Sequence, residues 1–282
     1  MFPGQVLAPY MTACLPEEAF LWSRVSPEWM RRWQQPDVWA PFRIDFEGRR
    51  IGNRGAQGAA SRVPRQTKTV DACFRCSGVR DEGARAFAER VPPGLTHLYL
   101  DFGFCKIGEE GARAVAERLP PGLTHLHLDF AGCDTVERIG DAGARAVAER
   151  LPPGLTHLDL DFAGCGIGDA GARAVAEHLP PGFTCLDLDF WGCSIRDAPR
   201  AVAERLPPGL TQLSLGFGDP NTDDSWNAAH WDAGARAVAE RLPLGLTCLE
   251  LNFGGCWIGD AVASRGLRIP SVVPSSPCTY VS

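Results

Sequence analysis

A segment of about 28 residues recurs along this chain and constrains its fold more than any other feature. One copy runs from Leu155 to Gly182 and reads L-T-H-L-D-L-D-F-A-G-C-G-I-G-D-A-G-A-R-A-V-A-E-H-L-P-P-G. If the first apolar residue of each L-x-L-x-F pattern marks the phase, successive copies lie 28, 28, 28, 32, 28, 27 and 36 residues apart. These phase markers are Phe42, Val70, Leu98, Leu126, Leu158, Leu186, Leu213 and Leu249. A period in this range predicts a solenoid of stacked units.

Each copy combines the signals of one strand and one helix. In the copy quoted above, Leu158 and Leu160 alternate with polar residues, which predicts a short strand with one apolar face. The apolar spacing of residues 171–179 predicts an amphipathic helix. Asp169 stands directly before this helix and is expected to cap its N-terminus. Pro180 cannot continue the helix, so the chain must turn back there.

Stacking explains how such a unit folds, because no unit can bury its apolar face alone. Adjacent units place their strands in a parallel ladder on one side and their helices on the other. Since a helix is wider than a strand, the stack should curve with its strands on the concave side. The predicted fold class is therefore α/β, a horseshoe solenoid of about eight units over residues 42–267. Residues 1–41 are expected to form a separate helical segment that caps the solenoid, and residues 268–282 a flexible tail.

The consensus of the units carries a family resemblance. The pattern L-x-x-L-x-L-x-F-x-x-C-x-I-G-D-x-G-A-x-A-x-A resembles a leucine-rich repeat, and its length and helix resemble the ribonuclease-inhibitor-like subtype. That subtype also occurs in NOD-like receptors and Ran GTPase-activating proteins. The resemblance extends from about Phe42 to Ile258 and implies a horseshoe that binds other proteins. Two features depart from the family pattern: phenylalanine extends the strand, and cysteine replaces asparagine at the turn.

Composition narrows the functional classes. The 282 residues carry a net charge of −6 and a sequence pI near 5.6, which argues against a general nucleic-acid binder. No apolar run approaches the length of a membrane span, and the N-terminus lacks a secretory pattern. Five of the 11 cysteines share one phase of the repeat and are expected to be buried and reduced. This cysteine usage favours a cytosolic or nuclear protein. The lone C-x-x-C of Cys73 and Cys76 is weak evidence for zinc.

The outward phase of the strands supplies the candidate binding residues. Because adjacent strands lie about 4.8 Å apart, the aspartates and histidines of successive copies should form two columns on the concave face. The candidate residues are His97, Tyr99, Asp101, His125, His127, Asp129, His157, Asp159, Asp161, Asp187, Asp189 and Glu250. Three interpretations stay open: a solvated wall, a docking face for a basic protein, and a metal site built from His125, His127 and His97 or Asp129. The docking face is the hypothesis carried forward, with no metal and no cofactor.

The seventh copy carries the largest insertion, within residues 216–231. The inserted segment is polar and acidic and contains Trp226 and Trp231. Insertions in solenoids often carry binding residues, so Trp226 is a further candidate for partner contact. The alternative is a tolerated surface insertion.

The first 41 residues differ in character from the repeats, with four of the eight tryptophans. The segment resembles the second half of an F-box, which implies that it contacts a Skp-type adaptor. The residues that carry this resemblance are Leu15, Pro16, Val25, Trp29, Trp33, Pro36 and Trp39. It departs from the pattern between Leu-Pro and Val-Ser, where only residues 17–24 intervene. The alternative is a helical cap whose tryptophans cover the first repeat.

The functional prediction is a non-catalytic scaffold that binds a partner protein with a basic surface on the acidic concave face. No nucleophile, phosphate-binding, metalloprotease or dinucleotide motif appears, so an enzyme is not expected. One alternative is an F-box type substrate receptor of a cullin–RING ubiquitin ligase. A second, a regulatory protein like the NOD-like receptors or the Ran GTPase-activating proteins, rests on fold analogy alone.

Overall fold

The fold is seen in a computed structural model that describes residues 41–133, 138–218, 234, 236–252 and 272–274. The F-box-like residues between Leu15 and Trp39, and Trp226 in the insertion, lie outside the described residues. The predictions made for them therefore stay predictions.

Nine parallel strands form a single sheet in the described part of the chain, and they follow one another in chain order. The strands are β1 (Phe42–Asp45), β2 (Thr69–Cys73), β3 (His97–Asp101), β4 (His125–Asp129), β5 (His157–Asp161), β6 (Cys185–Trp191), β7 (Gln212–Gly218), β8 (Cys248–Asn252) and β9 (Val272–Pro274). The last of these pairs with β8 inside the stretch expected to be a tail. Parallel neighbours need a long crossover, and helices supply it here.

Six helices with described ends follow the first six strands. They are α1 (Gly52–Ala60), α2 (Asp81–Ala88), α3 (Glu109–Ala116), α4 (Gly140–Ala148), α5 (Asp169–Glu177) and α6 (Ala198–Arg205). Residues 236–241 are also helical. Strands therefore alternate with helices through the array, and the predicted α/β leucine-rich-repeat solenoid is confirmed.

The register of the sheet follows the phase of the repeat. Phe42 pairs with Val70, Val70 with Leu98, and Leu98 with Leu126. The same alignment continues to Leu249, across insertions and deletions in the copies. A shift by one residue would turn every leucine to the outer face, so burial of this column fixes the register.

The core lies between the sheet and the helices. Two columns of leucine-like residues face inward from strands β2 to β8 and are nearly inaccessible to solvent. The phenylalanine that extends each strand adds a third column of parallel rings, whose neighbouring centroids lie 5.4 to 6.0 Å apart. The rings belong to Phe74, Phe102, Phe130, Phe162, Phe190 and Phe217. Burying each such side chain contributes about 1.5–3 kcal/mol, so the added phenylalanine is a major source of stability.

The cysteines after the strands are buried, as expected, in the four copies where they are described. Each thiol donates to the backbone carbonyl of the core phenylalanine in the preceding unit, at 3.0 Å for Cys105 on Phe74 and 3.0 Å for Cys165 on Phe130. Cys133 and Cys193 make the same bond. A donor is needed because a buried carbonyl without a partner costs about 1–3 kcal/mol. Cysteine, which stands where the family pattern has asparagine, is thus the donor to this carbonyl.

The helix caps link one unit to the next. Asp141 Oδ1 accepts the backbone N–H groups of Gly168 and Gly171 at 2.7 and 2.9 Å, at the start of α5. Asp169 Oδ1 accepts those of residues 196, 197 and 198 at 2.9, 2.8 and 2.9 Å, at the start of α6. The prediction that Asp169 caps its own helix is wrong. It is the first residue of α5, after an extended Gly168, and its carboxylate reaches the next helix instead.

This contact explains the glycine of the G-A-R pattern. A Cβ on Gly171 would lie 2.6 Å from Asp141 Oδ1 and 2.9 Å from Asp141 Cα. Gly111 meets Asp81 in the same way, with a separation of 2.3 Å from Oδ1. The helix must therefore carry glycine at the position where the capping carboxylate of the preceding unit packs against it.

Candidate protein-binding face

The outward residues of β2 to β8 form three columns, which we call the strand face. The first column is Thr69, His97, His125, His157, Cys185, Gln212 and Cys248; the second is Asp71, Tyr99, His127, Asp159, Asp187, Ser214 and Glu250; the third is Cys73, Asp101, Asp129, Asp161, Asp189, Gly216 and Asn252. The register thus brings the sequence-predicted residues of the described strands together on one face.

The aspartates of the third column also build the turns that follow the strands. In each case one carboxylate oxygen accepts the backbone N–H two residues later, at 2.7 to 2.9 Å. The pairs are Asp101 with Gly103, Asp129 with Ala131, Asp161 with Ala163, and Asp189 with Trp191. Such side-chain to backbone bonds are a common way for aspartate to fix a turn. These four residues therefore have a structural role that the sequence analysis did not anticipate.

Arg75 forms ion pairs with two of these aspartates. Its Nε lies 3.0 Å from Asp101 Oδ2, and its Nη2 contacts Asp129 on the next strand. The guanidinium carbon also lies 5.6 Å from the ring centroid of Phe104, within cation–π range. The side chain crosses the space above Gly103, where a Cβ would come within 2.8 Å of the guanidinium.

Sequence reasoning missed Arg75, although a signal exists. At the equivalent position in the next three units stand glycine or alanine, and Gly103 is the residue that Arg75 covers. A long cationic residue followed one unit later by glycine therefore marks a side chain that lies across the face. Only the register, and not composition, connects the two positions.

Burial distinguishes the two halves of the aspartate column. Under Arg75, Asp101 and Asp129 are only 3% and 4% exposed, whereas Asp161 and Asp189 on the following strands are partly exposed. The open, solvated wall considered in the sequence analysis is thus wrong for the first half. The side chain of Arg75 covers the two carboxylates there.

Electrostatics on the strand face is dominated by burial and by like charges. Burial, with repulsion from Asp101 and Asp161, raises the pKa of Asp129 well above its usual range despite Arg75. Burial and the neighbouring Asp189 do the same to the pKa of Asp161. Burial and Asp159 raise the pKa of Asp187 well above its usual range. The carboxylates therefore oppose one another's ionisation across adjacent strands.

His127 lies at the centre of the face and is 4% exposed. Its Nδ1 is 2.6 Å from Asp159 Oδ2, and its ring stacks on Tyr99 with centroids 3.9 Å apart. Burial opposes the charged imidazolium, but the carboxylate of Asp159 outweighs it and raises the pKa of His127. Its Nε2 is buried and has no hydrogen-bond partner among the residues that the structure describes.

The three histidines of the first column stack ring upon ring. The centroids of His97 and His125 lie 4.1 Å apart, and those of His125 and His157 lie 3.9 Å apart. Each Nδ1 is 2.9 Å from the hydroxyl of the preceding threonine, which donates its own proton to a backbone carbonyl. Nδ1–H must therefore be the donor in each of these bonds. Burial and the two flanking imidazoles lower the pKa of His125 to about 3, so the central ring of the stack is neutral at neutral pH.

The metal alternative finds no support among the described residues. There, the potential ligand atoms that lie within 4.8 Å of one another belong to Asp45, Glu47 and Cys73, and no histidine takes part. Burial and the nearby Asp101 raise the pKa of Cys73 far above its usual range, which keeps the thiol protonated. His125 and His127 instead hydrogen-bond to Thr124 and Asp159.

Comparison with known proteins agrees with this architecture. Two stretches, residues 95–116 and 155–176, match the family model described as Leucine Rich repeat. The repeat pattern, the strand register and these matches support a leucine-rich-repeat protein. The ribonuclease-inhibitor-like subtype stays a prediction.

Among solved structures, the chain is similar to the leucine-rich repeat-containing protein LegL7 from Legionella pneumophila, with 16% identity and a TM-score of 0.43 over 75% of this chain and 63% of that one. It is also similar to a chain in the Rad7 and Elc1 complex in yeast, with 14% identity and a TM-score of 0.39 over 72% of this chain and 56% of that one. This chain thus spans less than two thirds of the length of each of these two neighbours. The comparison with curated proteins gave no match. In the part of the chain that the structure describes, no helix is both long and apolar enough to cross a membrane.

Proposed function

We propose that this protein is a non-catalytic interaction scaffold that binds a basic partner protein on the strand face. The observation that supports it is the concentration of six aspartates on four adjacent strands, β3 to β6, where burial and mutual repulsion raise the pKa values of three of them. A cationic partner relieves that repulsion, so its binding is favoured electrostatically. A solenoid also offers a long surface rather than a deep pocket.

The test removes charge from the face without damaging the turns. Asp159 and Asp187 belong to the second column and do not accept the turn N–H groups, so the double variant D159N/D187N keeps the fold-building aspartates. The matched control is E117Q/E149Q, which removes the same charge from two exposed residues at helix ends. Partners captured from native lysate and identified by mass spectrometry are then purified and their affinities measured by calorimetry.

We expect D159N/D187N to lower the affinity for the purified partner by about tenfold or more, because two carboxylates near the interface are lost. The control should bind like the wild type, and added salt should weaken both. If the two double variants bind equally well, the strand face is not the docking surface.

A second candidate function is a substrate receptor of a cullin–RING ubiquitin ligase. The sequence pattern from Leu15 to Trp39 favours it, since it resembles part of an F-box. A pulldown with a purified Skp-type adaptor tests it, with the variant W29A/W33A as the control. Failure of the folded full chain to retain the adaptor would exclude this role and leave the scaffold proposal intact.

A further inference from the structure

His127 is a buried, titratable side chain at the centre of the strand face. Only 4% of the residue is exposed, and its Nδ1 lies 2.6 Å from Asp159 Oδ2. Its ring is nearly parallel to that of Tyr99, at 3° and a centroid distance of 3.9 Å, where a cation is attracted by the negative face of an aromatic ring. Both contacts favour the charged imidazolium over the neutral imidazole.

The strands on both sides of His127 surround it with further charge. The charged or titratable groups around it are Asp71 of β2, Tyr99 and Asp101 of β3, Asp129 of β4, Asp159 and Asp161 of β5, and the arginines Arg43 and Arg75, which pair with three of these carboxylates. Asp159 pairs with His127 instead of with an arginine. The histidine is therefore a cation of this part of the face whose charge can be removed by an ordinary change of pH.

His125, two residues earlier on the same strand, shows what the carboxylate changes. Its Nδ1–H donates to the hydroxyl of Thr124, and imidazoles lie against both faces of its ring. Burial and those imidazoles lower the pKa of His125 to about 3. At His127 burial acts in the same direction, but Asp159 outweighs it and raises the pKa. One strand thus carries a neutral histidine and a second histidine that keeps its proton to higher pH than usual.

The hydrogen bonds of His127 indicate which of its two ring protons is released. Nδ1–H donates to Asp159, so that proton stays in place when the ring becomes neutral. Nε2 is buried and has no partner in the part of the chain that the structure describes. A buried donor without an acceptor is costly, so the proton on Nε2 leaves first. Because the bond to Asp159 survives, deprotonation changes the charge of the face and not its contacts.

We propose that His127 makes the docking of a basic partner on the strand face depend on pH. While the ring is charged, it opposes the approach of a cationic partner. When the Nε2 proton leaves at higher pH, the face gains one unit of negative charge and binds such a partner more tightly. This inference rests on the proposed function, since it concerns the regulation of the same face.

Imidazole NMR of the full chain measures the titration directly. The spectrum of H127Q identifies the His127 signals among those of the six histidines. We expect the His127 ring to titrate above about pH 6.5, with Nε2 losing its proton and Nδ1 keeping its own. In D159N the titration should move to lower pH, because the amide carries no charge. Titration at or below about pH 6.5, or an unchanged titration in D159N, overturns the proposal.

A labelled hexaarginine peptide tests the effect on binding, because its side chains stay charged over the whole pH range used. Fluorescence anisotropy at about 50 mM salt measures its affinity from about pH 6 to pH 9, where charge interactions are weakly screened. The wild type should gain about fivefold in affinity over this range, and H127Q should lose most of that gain. The control H178Q removes a histidine from the exposed end of α5 and should gain as much as the wild type.

Every outcome of the binding experiment decides the proposal. An equal gain in the wild type and H127Q overturns it, because another group then carries the pH dependence, and so does a peptide that binds at no pH. If H127Q does not fold, D159N takes its place, and a full gain in D159N is equally fatal. Ordinary titration of His127 together with weakened partner binding in D159N/D187N refutes the pH dependence alone. Expected titration with equal partner binding in D159N/D187N and E117Q/E149Q refutes the docking face.

Discussion

Replacing Arg75 by methionine should destabilise the fold far more than a surface arginine normally does. Methionine keeps the apolar stem of the side chain and removes the guanidinium. The variant leaves Asp101 and Asp129, whose side chains are 4% and 6% exposed, without their shared cation. Breaking a buried ion pair costs about 3–5 kcal/mol. Arg75 itself is 15% exposed, so we expect a loss of about 3 kcal/mol in the free energy of unfolding.

The loss should depend on pH with a definite sign. Burial and flanking carboxylates already hold the pKa of Asp129 above its usual range, and removal of Arg75 raises it further. A carboxyl whose folded-state pKa exceeds its unfolded value of about 3.9 costs no stability below that value and costs most above the folded-state pKa. The difference between wild type and R75M should therefore shrink as the pH falls from about 7.5 to 4.5.

Urea unfolding followed by circular dichroism measures this difference at each pH, with midpoint and slope reported together because solenoids can lose cooperativity. The matched control is R43M, since Arg43 makes a 2.8 Å ion pair with Asp71 but is 66% exposed. That pair should contribute less than about 1 kcal/mol. The reasoning is refuted if R75M and R43M lose the same stability, or if the loss in R75M does not change with pH.

Two further predictions concern the histidine stack and the helix glycines. Burial and the flanking imidazoles lower the pKa of His125, so the folded state resists protonation and the free energy of unfolding falls as the pH drops below about 6.5. On acidification to about pH 5, H125Q should therefore lose about 1 kcal/mol less of its free energy of unfolding than the wild type, measured from the shift in urea midpoint. An equal loss in the two proteins contradicts this expectation. G171A should lower the free energy of unfolding by more than about 1 kcal/mol, because the new Cβ collides with Asp141. G58A should raise it by about 0.5–1 kcal/mol, because nothing lies within 4 Å of a Cβ there and alanine favours the helix. Melting temperatures of the two variants that shift in the same direction would rule this out.

Much of the fold could be read from the sequence because the signals repeat. The alternation of Leu158 and Leu160 and the helix-ending Pro180 recur in most copies, so errors in any one copy are corrected by the others. The phase markers aligned the strands across the 36-residue spacing before Leu249, and the register agrees with them. The same alternation predicted which residues lie on the strand face, since the outward residues are those between the leucines.

The burial and the charge partners of the strand-face residues could not be predicted from the repeat pattern. Alternation says that Asp129 points outward, but its burial depends on Arg75, which lies two strands away in the ladder. The role of Asp169 depended likewise on a neighbour, because its carboxylate caps α6 rather than α5. A sequence pattern specifies which side of its own unit a residue occupies, whereas the identity of its partner is a property of two units together.

The caps passed from one unit to the next give the array a direction. The starts of α3, α5 and α6 depend on a carboxylate supplied by the unit before them, from Asp81, Asp141 and Asp169, and α2 depends in the same way on the amide oxygen of Asn53. Shortening the array from its N-terminal side so that one of these four helices comes first therefore deprives that helix of its cap, while shortening the array from the C-terminal side leaves the caps of the remaining helices in place. A chain that leaves the ribosome N-terminus first has already made each cap when the helix that needs it emerges.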